Sequence, residues 1–174
     1  LRTFGDDAGR AILQGAGLQA AGNVTARQVA NALARELIVD GVHIHGSVVR
    51  TTFKMFGKER MVIISDSLRA TGMPDGIYPF GGQEIEVHGN RATIAGHPET
   101  LAGSVTSLMG CMRQAVKFGI PLADAVRASS YNPAQQIKID DRCGSLEVGK
   151  EASIVLLNKD DLSVKKIIFK GTEV

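Results

Sequence analysis

The sequence predicts an α/β fold, and three observations carry the prediction. Two short apolar runs without alternation, residues 37–39 and 61–65, flank a helical stretch, and ionisable residues follow both. From Gly76 the pattern changes to alternating apolar and polar residues broken by Gly-rich turns. Apolar runs alternate with loops punctuated by the 20 glycines, which favours strands and helices joined by working loops over a helical bundle.

Taken in chain order, residues 1–23 are rich in Ala and Gly without a clear period and read as irregular or weakly helical. Asn23 or Thr25 then caps a segment in which Val29, Leu33 and Leu37 recur four apart beside Ala30 and Ala34, the spacing of an amphipathic helix. Residues 37–39 form a short strand left through Asp40-Gly41. A helix over 47–56 leads to a second strand, 61–65, which ends on Asp66. Two apolar strands about a helix make a βαβ unit, whose functional residues sit beyond the strand C-termini. Residues 76–95 read as antiparallel hairpins with turns at Gly81-Gly82 and Gly89-Asn90. Helix returns over 104–118, with Val105, Leu108, Met109, Met112 and Val116 on one face and Gly119 and Pro121 as the stop. Pro121 opens the first turn of another helix. Residues 152–157 and 164–169, joined by a polar turn near Asn158 to Asp161, read as a hairpin of a separate small β domain.

Composition narrows the partners. The 20 Lys+Arg against 18 Asp+Glu leave a net charge of +2 without a basic run, and aromatics are 5% with Trp absent. That balance argues against a nucleic-acid footprint, a base-stacking platform or an aromatic hot-spot surface. No stretch reaches the roughly 18 apolar residues of a membrane span. Asp6 and Asp7 stand where a signal peptide would have a basic start and an apolar block, so a cytoplasmic protein without a membrane partner is expected. Cys111 and Cys143 have neither CxxC nor ligand spacing and read as free thiols acting as small hydrophobes.

Three features could carry chemistry. Asp66 directly follows an apolar strand, the position at which barrel enzymes keep catalytic groups, although an acid there also serves as a turn or helix cap. Asp40 to His45 read DGVHIH, which sets the imidazoles of His43 and His45 at i and i+2 on one side of an extended segment. Such a pair can hold a divalent metal, hydrogen-bond a ligand, or do neither; His88 and His97 lack ligand-like neighbours. The loop from Thr100 to Leu108, TLAGSVTSL, leads into a helix and could direct backbone N–H groups at an anionic or polar ligand, or simply cap that helix at Ser104. It lacks the spacing of a nucleotide loop.

In order and spacing, ELIVDGVHIH, VIISDSLRATGMPDGIYPFGG, TLAGSVTSLMGCMRQAV, ASSYNPAQQI and GSLEVGKEASIVLLNKD resemble the C-terminal half of the N-acetylglucosamine-6-phosphate deacetylase family, in the amidohydrolase superfamily. The resemblance runs from about Glu36 to Val174. DGVH, SDS and LAGS are specific to that family, whereas the NPA helix and the G-x-L-x-x-G-K-x-A tail are shared among amidohydrolases. It implies the C-terminal part of a (β/α)8 TIM barrel of the metal-dependent hydrolase type, plus strands of a small β-sandwich domain. The implied division is an unmatched segment 1–35, barrel residues 36–150 with inserted hairpins 76–95, and the hairpin of the small domain at 151–174.

The implied activity is hydrolysis of the acetamide of N-acetylglucosamine 6-phosphate to glucosamine 6-phosphate and acetate, with a divalent metal, Zn or Fe. By the same resemblance Asp66 is the general base and then acid, His43 contacts substrate rather than metal, and Leu101, Ala102 and Gly103 form a substrate-contacting segment. The family's metal-ligating glutamate and histidines, its H-L-[FY]-N-A-M motif and its R-E-P-G motif are absent from this sequence. The chain alone is therefore expected to be inactive, and as part of a barrel with open strand edges it is expected to form a homo-oligomer. The alternatives are another amidohydrolase, dihydroorotase-like or imidazolone-type, and a non-catalytic sugar-phosphate-binding or assembly module.

Overall fold

Where an apolar run is short, β-branched and cut off by Asp-Gly, the chain is extended. In the structure, a computed structural model that describes residues 35–174, β1 spans Arg35–Ile38 and β2 spans Met61–Ile64. They lie side by side in one sheet. Between them in the chain runs the helix α1, Gly46–Phe56. Its buried face is Gly46, Val49 and Phe53, at i, i+3 and i+7, and it stops at Gly57, whose N–H bonds the Phe53 carbonyl. The expected helix before β1, with Val29 and Leu33, and the N-terminal segment lie outside the described residues.

The alternating stretch forms a four-stranded antiparallel meander: β3 (Gly76–Phe80), β4 (Gln83–His88), β5 (Arg91–Ile94) and β6 (His97–Leu101). Its first turn is the expected Gly81-Gly82, both at positive φ, as a tight two-residue hairpin loop requires. Gly89-Asn90 makes the second. The sheet runs on to Leu101, one strand beyond residues 76–95, because the chain turns through Ala95 and Gly96, the latter at positive φ, and brings His97 back against Ile94, with a register shift that leaves Pro98 to Thr100 unpaired in the sheet before Leu101 meets Thr93. Ile85, Val87 and Ala92 alternate onto one face and bury there with Ala70 and Ala102 as a small second core.

The main core forms where α2 (Leu108–Lys117) and α3 (Leu122–Ser129) pack against β2. Val39, Val49, Met61, Ile63, Cys111, Met112 and Ala115 meet there. Two details differ from the expected helix. It begins at Leu108 with Ser107 as its cap, the Ser107 hydroxyl accepting the Gly110 N–H at 3.2 Å, rather than at Ser104. Its buried residues are Cys111, Met112 and Ala115, and Leu108 is exposed. Pro121 is the N-cap residue of α3, one position before the first turn, where the sequence predicts it. A short helix α4 (Tyr131–Gln136) carries Asn132, whose amide nitrogen donates to the carbonyls of Lys58 at 2.6 Å and Met61 at 2.7 Å. The NPA segment is thereby tied to the entry of β2.

The tail is a three-stranded antiparallel sheet: β7 (Ile154–Leu157), β8 (Val164–Phe169) and the two-residue β9 (Thr172–Glu173), which the sequence pattern did not reveal. Val155, Leu156, Ile167 and Phe169 are exposed on it. No helix among the described residues is long and apolar enough to cross a membrane.

Both cysteines are free thiols. Cys111 is fully buried, and its thiol is pushed up from 9.0 to about 11, by burial first and by the neighbouring charge of Asp40 second. The unfolded thiol ionises before the folded one, so this part of the stability is complete below pH 9.0 and is lost as pH rises toward about 11. A thiol-specific reagent added to the native protein at neutral pH should modify half-buried Cys143 first, and Cys111 only after denaturation; mass mapping of the adducts checks this.

Candidate active site

Asp66 follows β2 in a left-handed backbone conformation, φ 53°, that few non-glycine residues adopt and that Asp tolerates better than most. The turn aims the Asp66 carbonyl at the Ser104 N–H, 3.0 Å away, and the Leu68 N–H at the Ser104 carbonyl, 2.8 Å away. Ser67 and Ser104 thus form an isolated parallel bridge between segments far apart in sequence. The Asp66 side chain stays exposed, without a hydrogen-bond or ion-pair partner among the described residues.

The SDS and LAGS segments therefore lie together. Leu101 ends β6, and the buried Ala102 donates its N–H to the Ala92 carbonyl at 3.1 Å. Gly103 has φ +95°, and a Cβ there would lie 2.9 Å from the Leu68 side chain and 3.3 Å from the Asp66 carbonyl. Only glycine lets the two loops close so tightly. Ser104, read from the sequence as a possible helix cap, uses its hydroxyl to accept the Thr106 N–H at 3.0 Å within the loop.

Asp40 and His43 follow β1, the neighbour of β2 in the sheet. Asp40 is buried, and its Oδ1 accepts the N–H groups of Val42 at 2.9 Å and His43 at 3.0 Å. Its Oδ2 lies 2.8 Å from His43 Nδ1. Burial alone would raise the Asp40 pKa, but these hydrogen bonds and the imidazole bring it below the ordinary carboxylate value. No bond joins this pair to Asp66; the two groups are held beyond the ends of adjacent strands. Asp40 was visible in the sequence only as a strand-end acid. Its spacing to His43, i and i+3, was the signal that it closes a turn on the imidazole.

The spacing of His43 and His45 does not make a metal pair. His45 is the N-cap of α1, with Nδ1 accepting the Ser47 N–H at 3.3 Å, while His43 Nδ1 faces Asp40. His88 and His97 are exposed and pair with carboxylates, His88 with Asp75 and Glu86, His97 with Glu99. Among the described residues no group of three or more His, Cys, Asp or Glu side chains is gathered as a metal ion would require.

The chain matches the amidohydrolase family over residues 30–174. It is similar to the N-acetylglucosamine-6-phosphate deacetylase of Bacillus subtilis, 38% identical over 126 residues, which is 72% of this chain and 31% of that protein. It is equally similar, 38% over 137 residues, to an N-acetylgalactosamine-6-phosphate deacetylase of Escherichia coli O157:H7, covering 78% of this chain and 35% of that protein. Among solved structures, a variant of the Mycobacterium smegmatis N-acetyl-D-glucosamine-6-phosphate deacetylase in complex with N-acetyl-D-glucosamine-6-phosphate superposes with a TM-score of 0.76 at 34% identity. The match covers 82% of this chain and 38% of that one. The chain spans about a third of the length of these curated relatives.

Proposed function

The chain belongs to the amidohydrolase family, and from that premise we propose that the whole protein removes the acetyl group of N-acetylglucosamine 6-phosphate. The products are glucosamine 6-phosphate and acetate. The observation that carries the reading is the closure of the LAGS loop onto the strand-end SDS segment, with an exposed, unpaired Asp66 carboxylate at the junction. A carboxylate there can accept a proton from an attacking water and return it to the departing amine nitrogen. His43, turned outward from Asp40, and the Leu101-Ala102-Gly103 segment beside Asp66 supply contacts to the sugar.

Amidohydrolases generally use a divalent metal. The described residues do not fit one, since their histidines are committed singly to Asp40, to the α1 cap and to surface carboxylates. Residues 1–34 contain no His, Cys or Glu. We therefore assign no step through a metal to this chain, and we expect it to be inactive alone. That favours a second reading for the chain by itself, a sugar-phosphate-binding module. We further propose a cytoplasmic homo-oligomer, supported by two free thiols and the exposed apolar residues of β7 and β8.

Acetate release decides between these readings. The 174-residue chain with added Zn²⁺ or Fe²⁺ should release no acetate above the buffer rate, whereas the whole protein should turn over. Turnover by the chain alone, abolished by Asp66→Asn, would overturn its inactivity and support the role of Asp66. Running N-acetylglucosamine 6-phosphate beside its galactosamine epimer tests the substrate, and preference for the epimer would correct it. Binding of glucosamine 6-phosphate by a whole protein that releases no acetate from either sugar would favour the binding module.

A further inference from the structure

The two oxygens of Asp40 do separate work. Oδ1 is occupied by the backbone N–H groups of Val42 and His43, while among the described residues Oδ2 meets only the His43 ring. An ionised carboxylate can only accept hydrogen bonds, so the ring nitrogen facing it, Nδ1, must carry the proton. Two features keep Asp40 ionised and in place. Its hydrogen bonds outweigh the cost of burial. Gly41, at φ +85°, closes the turn against Gln114 of α2, whose side chain lies 3.2 Å from where a Cβ would be.

The far side of the ring is different. The His43 side chain is 18% exposed, and its Nε2 has no hydrogen-bond partner among the described residues. We propose that Asp40 is a positioning residue that locks neutral His43 as the Nδ1–H tautomer and so presents Nε2 as an acceptor for a hydroxyl donor of the bound sugar. The proposal rests on the reading of His43 as a ligand contact given above. It adds a chemical specification to that contact: a ligand group at this position must offer a hydrogen.

His45 provides an internal contrast two residues away. Its Nδ1 accepts the Ser47 N–H at 3.3 Å and lies 2.8 Å from the Ser47 hydroxyl, which can donate to the same nitrogen, so its neutral ring carries the proton on Nε2. One short segment thus holds two imidazoles in opposite tautomers.

Asp40→Asn separates the shape of the residue from its chemistry. The Val42 and His43 N–H groups still require an oxygen where Oδ1 now lies, so the amide NH₂ must face His43. A donor there forces Nδ1 to become the acceptor and moves the proton to Nε2.

Long-range ¹H–¹⁵N correlation spectra of the ¹⁵N-labelled protein, recorded with both rings neutral, read each tautomer. His43 is expected as Nδ1–H and His45 as Nε2–H, with His43 inverted in Asp40→Asn and His45 unchanged. Added glucosamine 6-phosphate should shift the Nε2 resonance of His43 and leave that of His45 in place. An Nε2–H tautomer at His43 in the unsubstituted protein overturns the proposal, as does an Asp40→Asn protein that folds with the tautomer unchanged. The unsubstituted measurement needs no variant, so it decides even where Asp40→Asn fails to fold. If the tautomers are as expected and the sugar phosphate leaves His43 Nε2 unmoved, the ligand contact and the functional reading beneath it fail, while the hold of Asp40 on the ring stands.

Discussion

Asp66→Asn in the whole protein should lower kcat by about 10²–10⁴-fold with little change in KM, the loss that follows removal of a positioned proton carrier. Asn suits the test because what the backbone needs at this position is tolerance of φ 53°, and Asn shares that tolerance with Asp. The structural bonds of Asp66 are made by its carbonyl to Ser104, not by its carboxylate. The loop should therefore remain closed, and the loss should appear in chemistry rather than in unfolding. Initial rates of acetate release, with a melting curve as control, measure both. A variant within tenfold of the parent rate would remove Asp66 from the proton-transfer role.

The second large effect is on stability. Asn132 is buried, and its NH₂ faces two carbonyls, so only this orientation of the amide satisfies them. Asn132→Ala strands the Lys58 and Met61 carbonyls and leaves a void beside β2. We expect a loss of about 2–4 kcal/mol, which in a domain of this size is roughly 5–15 °C in Tm. The loss is moderated because the other amide atom, Oδ1, is already buried without a partner among the described residues. Thermal or urea unfolding monitored by circular dichroism checks this, and a shift below about 2 °C would mean that water replaces the amide.

The fold was legible wherever burial imposes a local period. β2 reads as an apolar run because Met61, Val62 and Ile63 are all buried, and α1 reads as a helix because Val49 and Phe53 fall on one stripe. The hairpin turns were legible because Gly81, Gly82 and Gly89 take positive φ. β6 and β9 were not, because β6 is mostly exposed and β9 has two residues, so neither leaves an alternating pattern. The start of α2 was misplaced for a different reason. Ser104 and Ser107 are both competent caps by type, and the strand-end carbonyl of Asp66 captures the Ser104 N–H, leaving Ser107 to begin the helix.

The same division holds at the site. Asp66, His43 and the LAGS loop were visible as residues because Asp, His and Gly at strand ends and turns stand out from an apolar background. Their partners were not. That His45 caps α1, that Asp40 grips the His43 ring, and that Asp66 and Ser104 share a pair of backbone bonds depends on which polar groups remain unpaired once the strands and helices have packed. By itself the sequence determined the elements that bury a periodic face, the motifs and the family, since these are written in local spacing. Only the tertiary structure decided which ring nitrogen of His43 faces Asp40 and which loops meet at Asp66, because a buried hydrogen-bond donor or acceptor must be satisfied by whatever the fold brings within 3 Å or so of it.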